Sequence, residues 1–316
     1  MSSLSVGIIG MPNAGKSTLF NALLRRQVAQ VAEYPYTTIE PNVGVVEVPD
    51  ERLTLIAQRL TIAKIVPAAI KFIDIAGLIK GAHKGEGLGN QFLGHIREVD
   101  AILHIVRAFE NPAVDHVAGK IDSLADIGIV NLELEMAEVK KPTIYILNVS
   151  ENQLKFTPMK QIFGKIKDIY KSKVLMVCAK LEAELSEIST EEQKQYLTEL
   201  GINKSGLDQV IAESYKLLDL ITFFTVTGGH QAQAWPIKKG SKMIEAAEIV
   251  HTDFAHGFIA CEVISWDQLV EAGSRPEGRG SPLAAWVAAK EKGFVKIAGR
   301  DQVVEDGDVV EFKFKS

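Results

Sequence analysis

The segment Gly10-Met11-Pro12-Asn13-Ala14-Gly15-Lys16-Ser17 constrains the fold more tightly than any other part of the chain. It satisfies G-x-x-x-x-G-K-[ST], and it has the context that gives the pattern meaning. The short β-rich run Leu4–Ile9 precedes it, and a helical stretch follows from Ser17 to Arg26, with Leu19, Ala22 and Leu23 at helix spacing. Glycines at the turn let backbone N–H groups approach an anion closely, and the helix N-terminus adds its positive end. Such a strand–loop–helix unit belongs to α/β proteins built around a mostly parallel sheet. Asn13, Ala14, Gly15, Lys16, Ser17 and Thr18 are therefore candidate nucleotide-binding residues, with Lys16 reaching the β- and γ-phosphates and Ser17 ligating Mg²⁺.

The rest of the chain agrees with this class. Further strands are expected at Val43–Val48, Ile70–Ile75, Ala101–Val106, Thr143–Asn148 and Lys173–Cys178, separated by helical patterns at Glu51–Gln58, Asn90–Glu98 and Lys160–Tyr170. Leu124–Val139 reads as one amphipathic helix, with Leu124, Ile127, Val130 and Leu134 inward and Glu133, Glu135 and Glu138 toward solvent. A helical zone at Thr190–Leu218 closes this half. Short β-like runs then follow at Phe223–Thr227, Ala234–Ile237, Phe258–Val263 and Val309–Phe314. The boundary is placed at 219/220, giving domains 1–219 and 220–316, and Gly273–Pro282 reads as a loop.

Composition removes several function classes. With 316 residues, 47% apolar and 24% charged, the chain reads as an ordinary globular protein of about two domains. Its two cysteines cannot form a disulfide framework, and no apolar run approaches the roughly 20 residues of a membrane span. A cytoplasmic protein with no membrane partner is expected. The net charge of −5 argues against non-specific coating of nucleic acid, although a local basic patch can still bind it.

Three further segments occur in the order a nucleotide switch needs. Phe72-Ile73-Asp74-Ile75-Ala76-Gly77 ends a strand in D-x-x-G, where Asp74 supports Mg²⁺ through water and the Gly77 N–H senses a γ-phosphate. Upstream, Tyr34-Pro35-Tyr36-Thr37-Thr38 offers Thr38 as a Mg²⁺ ligand that engages only when that phosphate is present. Paired contacts of this kind order two loops and release them on hydrolysis. At the base, Asn148-Val149-Ser150-Glu151 stands where a guanine-specific protein has N-K-x-D, so Val149 replaces the Lys and Glu151 the Asp. The turn Cys178-Ala179-Lys180 follows, and its Ala179 N–H is placed to meet a purine exocyclic group.

On these motifs the chain resembles the YchF subfamily of Obg-like P-loop proteins. Further carrying segments are Lys84-Gly85-Glu86-Gly87-Leu88-Gly89-Asn90 and His251-Thr252-Asp253-Phe254 with Gly257-Phe258. The resemblance implies an ATPase that tolerates GTP, with an Obg-type nucleotide domain, a small β-grasp-like TGS domain, and a link to ribosomes, translation and stress responses. It also implies a catalytic role beside Lys16 for His116, since Leu78 fills the position where many switch proteins keep a water-orienting Gln. A neutral imidazole is chemically suited to that work. His83 is the competing candidate, and Asn13 is either the residue that would help hold K⁺ near the phosphates or an Asn chosen for turn geometry. The usual long helical arm is missing, because only Glu138–Pro142 separates the helix near 124 from the strand at Thr143.

In the second domain, Lys238, Lys239 and Lys242 beside Trp235 form either an RNA- or ribosome-binding patch or a solvated turn next to a core Trp. The glycine run at 85–90 fails as a dinucleotide motif and reads as a switch segment. His95, His104, His230, His251 and His256 lack metal-ligand spacing. Three readings stay open at this point: a hydrolysing switch, a P-loop small-molecule kinase, and an RNA-binding module with a structural nucleotide. The oligomeric state is not legible.

Overall fold

A computed structural model describes residues 4–30, 42–75, 88–116, 119–155, 157–227, 230–273 and 282–315. The chain divides into two compact units. One is formed by the described residues of Ser2–Val46 and Ile70–Leu218, the other by those of Glu47–Ala69 and Asp219–Ser316.

The first unit holds a six-stranded sheet. Its strands are β1 (Ser5–Ile9), β2 (Val43–Glu47), β4 (Ala69–Asp74), β5 (Ala101–Arg107), β6 (Thr143–Asn148) and β7 (Val174–Val177), in the order β2-β4-β1-β5-β6-β7. β1 runs parallel to both β4 and β5, and β5, β6 and β7 continue parallel. All seven residues of β5 are buried, which requires cover on both faces of the sheet. On one face α3 (Leu88–Glu98), α4 (Ser123–Met136) and α5 (Thr157–Tyr170) pack on Ile9, Ile102, Val106, Tyr145 and Leu147. α1 (Lys16–Gln30), α6 (Ala179–Leu185), α7 (Thr190–Glu199) and α8 (Gly206–Leu217) complete the unit. Strand order reverses at β1, so the loop after β1 opens at a topological switch point, where open α/β sheets bind ligands.

α4 corrects one expectation. Glu133, assigned to solvent, is buried. It lies three residues after buried Val130 and one before buried Leu134, so at 3.6 residues per turn it falls inside the apolar stripe. After α4 the chain turns at Glu138, whose positive φ of 56° ends the helix, and enters β6 with no intervening arm.

The second unit holds a mixed sheet, ordered β11-β10-β12-β8-β9-β3. Its strands are β3 (Lys64–Val66), β8 (Leu220–Thr227), β9 (Gln231–Lys238), β10 (Phe258–Ser265), β11 (Lys296–Ala298) and β12 (Asp308–Phe314). β8–β9, β10–β11 and β10–β12 are antiparallel, while β12–β8 and β3–β9 are parallel. Helix α9 (Met243–Val250) packs Met243, Ala246 and Ala247 on Phe223, Ile237, Cys261 and Val263. Residues 47–69, with α2 (Glu51–Leu60) and β3, belong here although they precede β4 in sequence. Arg52 of α2 explains much of that placement. Its guanidinium bonds Asp306 at 2.8 Å and lies over the Phe224 ring at 5.3 Å. α10 (Thr252–His256), α11 (Trp266–Ala272) and α12 (Pro282–Glu291) are the remaining helices.

Candidate nucleotide site

The loop between β1 and α1 is built on positive-φ backbone at Gly10, Asn13 and Gly15. Asn13 has φ 62° and Gly15 φ 95°, and the Cβ of any other residue at Gly15 would come within 2.2 Å of the Asn148 amide. Lys16 is buried and donates from Nζ to the Met11 carbonyl at 3.1 Å, across the mouth of its own loop. Burial lowers its pKa, and the Asp74 charge works against that.

Ser17 and Asp74 meet at the metal side. The Ser17 hydroxyl donates to Asp74 Oδ2 at 2.8 Å, while Asp74 Oδ1 is buried with no hydrogen-bond partner among the described residues. Burial raises the Asp74 pKa, and the Ser17 hydrogen bond and Lys16 charge oppose it. A hydroxyl, a carboxylate with a spare oxygen and a nearby phosphate loop are the hard-oxygen donors Mg²⁺ takes, the other positions being left to phosphate and water. The chemistry of this pair therefore fits Mg²⁺. Thr38, Gly77, Leu78 and His83 lie outside the described residues.

Asn148, at the end of β6, braces the site from the other side. Its Nδ2 donates to the Ala14 carbonyl at 2.9 Å, and its Oδ1 accepts from the Ala179 N–H at 3.0 Å. One buried amide thus ties the phosphate loop to the Cys178-Ala179-Lys180 turn. The Ala179 N–H, expected to meet a purine, donates to Asn148 in this structure. The expectation for Val149 is corrected. Its side chain packs in the core with Leu147, Ile166 and Val174 and offers no face to a base. Glu151 opens a 3₁₀ turn (Glu151–Lys155), is exposed, and accepts from the Tyr196 hydroxyl at 3.4 Å. Burial raises the Cys178 thiol pKa, and the Glu151 charge adds to that. Lys180 is exposed.

His116 is not a solvated loop residue. Its Nε2 lies 2.9 Å from Asp126 Oδ2, and the two side chains are 5% and 3% exposed. The loop before it is organised by buried Arg107. That guanidinium donates to the carbonyls of Phe109, Asn111, Val114 and Asp115. Asn13 Nδ2 donates to the same Asp115 carbonyl at 3.2 Å, so the loop is carried directly on the phosphate loop. Neither Arg107 nor Asp126 stands out in the sequence. Asp126 lies ten positions from His116 across a helix N-cap, and only a fold that closes this turn brings them together.

Comparison with known proteins follows the same division of the chain. Residues 5–149 match the family described as "50S ribosome-binding GTPase", and residues 220–315 match the C-terminal YchF GTPase family described as "Protein of unknown function (DUF933)". The "Ribosome-binding ATPase YchF" of Bacillus subtilis is 39% identical, over 99% of both chains. The chain belongs to the YchF family. The YchF protein of Escherichia coli O157:H7 is 36% identical over 98% of both chains. A solved structure, the Schizosaccharomyces pombe YchF GTPase, superposes with a TM-score of 0.82 at 29% identity, covering 98% of each chain. The alignment to the B. subtilis YchF spans 376 positions against 316 residues here, so at least 60 have no counterpart in this chain (376 − 316). No helix among the described residues is long and apolar enough to cross a membrane.

In the second unit, Lys238 and Lys239 are exposed, while Lys242 pairs with Asp301 at 2.8 Å. Trp235 is engaged elsewhere. Its indole N–H donates to Thr225 Oγ1 at 2.9 Å and its ring stacks on Phe223, so it serves the core of the sheet.

Proposed function

We propose that this YchF-family protein hydrolyses ATP, tolerates GTP, and reports its nucleotide state to the ribosome. The observation that carries the hydrolytic reading is the convergence of Lys16, Ser17 and Asp74 on one loop at the switch point of a parallel sheet. Lys16 would exchange its bond to Met11 for the β- and γ-phosphates, and the backbone N–H groups from Asn13 to Thr18 would cradle them. Ser17 and Asp74, with Thr38, would hold Mg²⁺, which when bound neutralises charge on the phosphates.

Relaxed base choice follows from the base side. Without a Lys stem at Val149, and with a longer, exposed carboxylate at Glu151, the features that make N-K-x-D select guanine are missing. Adenine is then admitted by Asn148, Glu151 and the Cys178–Lys180 turn.

His116 supplies the water-orienting group that Leu78 cannot. His116→Ala is expected to lower turnover at least ~10-fold with nucleotide affinity unchanged, a floor below the roughly 10²–10⁴-fold that a positioned acid–base group contributes. Single-turnover rates and calorimetric affinities check both halves. Unaltered turnover would remove the assignment. Asn13, an exposed residue in left-handed backbone within the phosphate loop, is assigned a K⁺ near the phosphates. Turnover in K⁺ should exceed that in Na⁺, and equal rates would return Asn13 to a purely geometric role.

The ribosome reading rests on the names of the relatives and on the exposed Lys238 and Lys239 of the C-terminal domain, which we read as TGS-like. Reversing Lys238, Lys239 and Lys242 to Glu should weaken co-sedimentation with ribosomes while ATP turnover stays intact. The salt dependence should fall along with it, because phosphate contacts release counterions. Unaffected association would exclude this patch. Binding that differs between a non-hydrolysable ATP analogue and ADP would show switching, and a phosphorylated small molecule without net hydrolysis would indicate a kinase instead.

A further inference from the structure

We propose that Asp126 is a positioning residue that holds His116 withdrawn from the phosphates, so that leaving Asp126 is a required step of hydrolysis. The proposal rests on the reading of His116 as the water-orienting group. A group with that task must present a ring nitrogen to water at the phosphate end of the site. Here the imidazole is turned into the protein, with Nε2 at 2.9 Å from Asp126 Oδ2 and only 5% of the side chain exposed. In that position Nε2 is committed to a carboxylate and is not offered to a water.

The backbone before His116 is held in place, which leaves the His116 side chain as the part that moves. Asp115 is pinned through its carbonyl by both Asn13 and Arg107, at 3.2 Å each. Arg107 also holds the carbonyls of Phe109, Asn111 and Val114. His116 thus begins one residue from a direct contact with the phosphate loop. On the far side, Asp126 sits in the first turn of α4, whose N-terminus is capped by Asp122 accepting from the Ala125 N–H at 3.1 Å. The positive end of that helix stabilises a carboxylate in its first turn and so offsets part of the cost of leaving Asp126 a buried charge when the imidazole leaves.

What draws His116 out is charge. A bound triphosphate places several anionic oxygens beside Asn13, and these compete with Asp126 for the same N–H donor. A ligand shifts such an equilibrium only by its different interaction with the two positions, and the triphosphate has that difference while an empty site does not. Asp126 therefore slows the free protein and makes turnover responsive to anything that moves the 109–116 loop.

The test compares wild type, Asp126→Asn, Asp126→Ala, His116→Ala and the double variant Asp126→Asn/His116→Ala, with Mg²⁺ and saturating ATP. Asp126→Asn weakens the ion pair with His116 and Asp126→Ala takes the carboxylate away. Both are expected to raise kcat about three- to tenfold with KM unchanged, while the double variant stays at the His116→Ala rate. A gain in kcat is a readout that loss of a merely structural residue does not produce. If His116→Ala lowers kcat but neither Asp126 variant raises it, Asp126 orients His116 or only packs against it, and this proposal fails alone. If His116→Ala leaves kcat unchanged, the reading of His116 fails and takes the proposal with it. Should both Asp126 variants unfold, imidazole ¹⁵N shifts of wild-type His116 decide. They should change when a non-hydrolysable ATP analogue binds, and identical shifts with and without it would overturn the proposal.

Discussion

Gly15→Ala is expected to abolish measurable nucleotide binding at concentrations that saturate the wild type, a loss of at least ~100-fold. Two effects add. A φ of 95° is open to glycine, while an L-residue held in left-handed backbone pays roughly 1–2 kcal/mol. The new Cβ would also lie 2.2 Å from Asn148 Nδ2, so the amide must move and give up its bonds to Ala14 and Ala179. Each buried group left unpaired costs about 1–3 kcal/mol, and every 1.4 kcal/mol is tenfold in affinity. The damage therefore reaches from the phosphate loop to the turn on the base side. Titration calorimetry with ATP measures it, and Asn148→Ala, which removes the brace without straining the loop, should lose less. Near-wild-type binding by Gly15→Ala would mean that the loop does not need its present shape.

His104→Leu is expected to flatten the acid limb of the stability profile. His104 lies on β5 within the core, its ring 5.4 Å from that of Tyr145, and neither ring nitrogen has a hydrogen-bond partner among the described residues. Burial, with a smaller contribution from the Lys16 charge, lowers its pKa from 6.5 to about 3. The folded protein thus keeps His104 neutral while the unfolded chain protonates it below pH 6.5. The unfolded state binds the extra proton, so stability falls as pH drops through the window from 6.5 to 3. Between pH 7 and pH 5 this single group costs about 2 kcal/mol. Denaturant unfolding at the two pH values should show that difference in the wild type and lose it in His104→Leu. The leucine should also be more stable at pH 7, because two unpaired buried nitrogens are gone. An unchanged pH dependence would show that His104 is solvated or partnered in solution.

Much of this was legible because local chemistry and global fold agree. The phosphate loop is written in contiguous residues, and the buried strands of the parallel sheet announce themselves as apolar runs. β6 lies at Thr143–Asn148, as expected, and β4 and β5 end within one residue of their expected limits. Pairings distant in sequence were not legible. β3 is three residues long and mostly exposed, and only its pairing with β9 makes it a strand. Residues 47–69 sit between two strands of the first sheet, and nothing local says that Arg52 will reach Asp306 across 254 positions. α11 and α12 flank the Gly- and Pro-rich stretch 273–282, whose composition masked the short helices on either side.

The candidate site divides in the same way. Lys16, Ser17 and Asp74 were assigned from motif order and are found together. Val149 and Ala179 were assigned to the base by position in a motif, and the structure commits one to the core and the other to Asn148. Motif order does not reveal which hydrogen bonds are already taken. Asp126 and Arg107 form no motif at all and act only through what they hold.

Affinity for ATP and GTP, and for ADP and GDP, measured side by side with Mg²⁺ on the full chain, tests the central claim most directly. ATP should bind at least as tightly as GTP and be hydrolysed, because Val149 and Glu151 leave nothing that selects guanine. A strong preference for guanine nucleotides in both the di- and triphosphate pairs would contradict it.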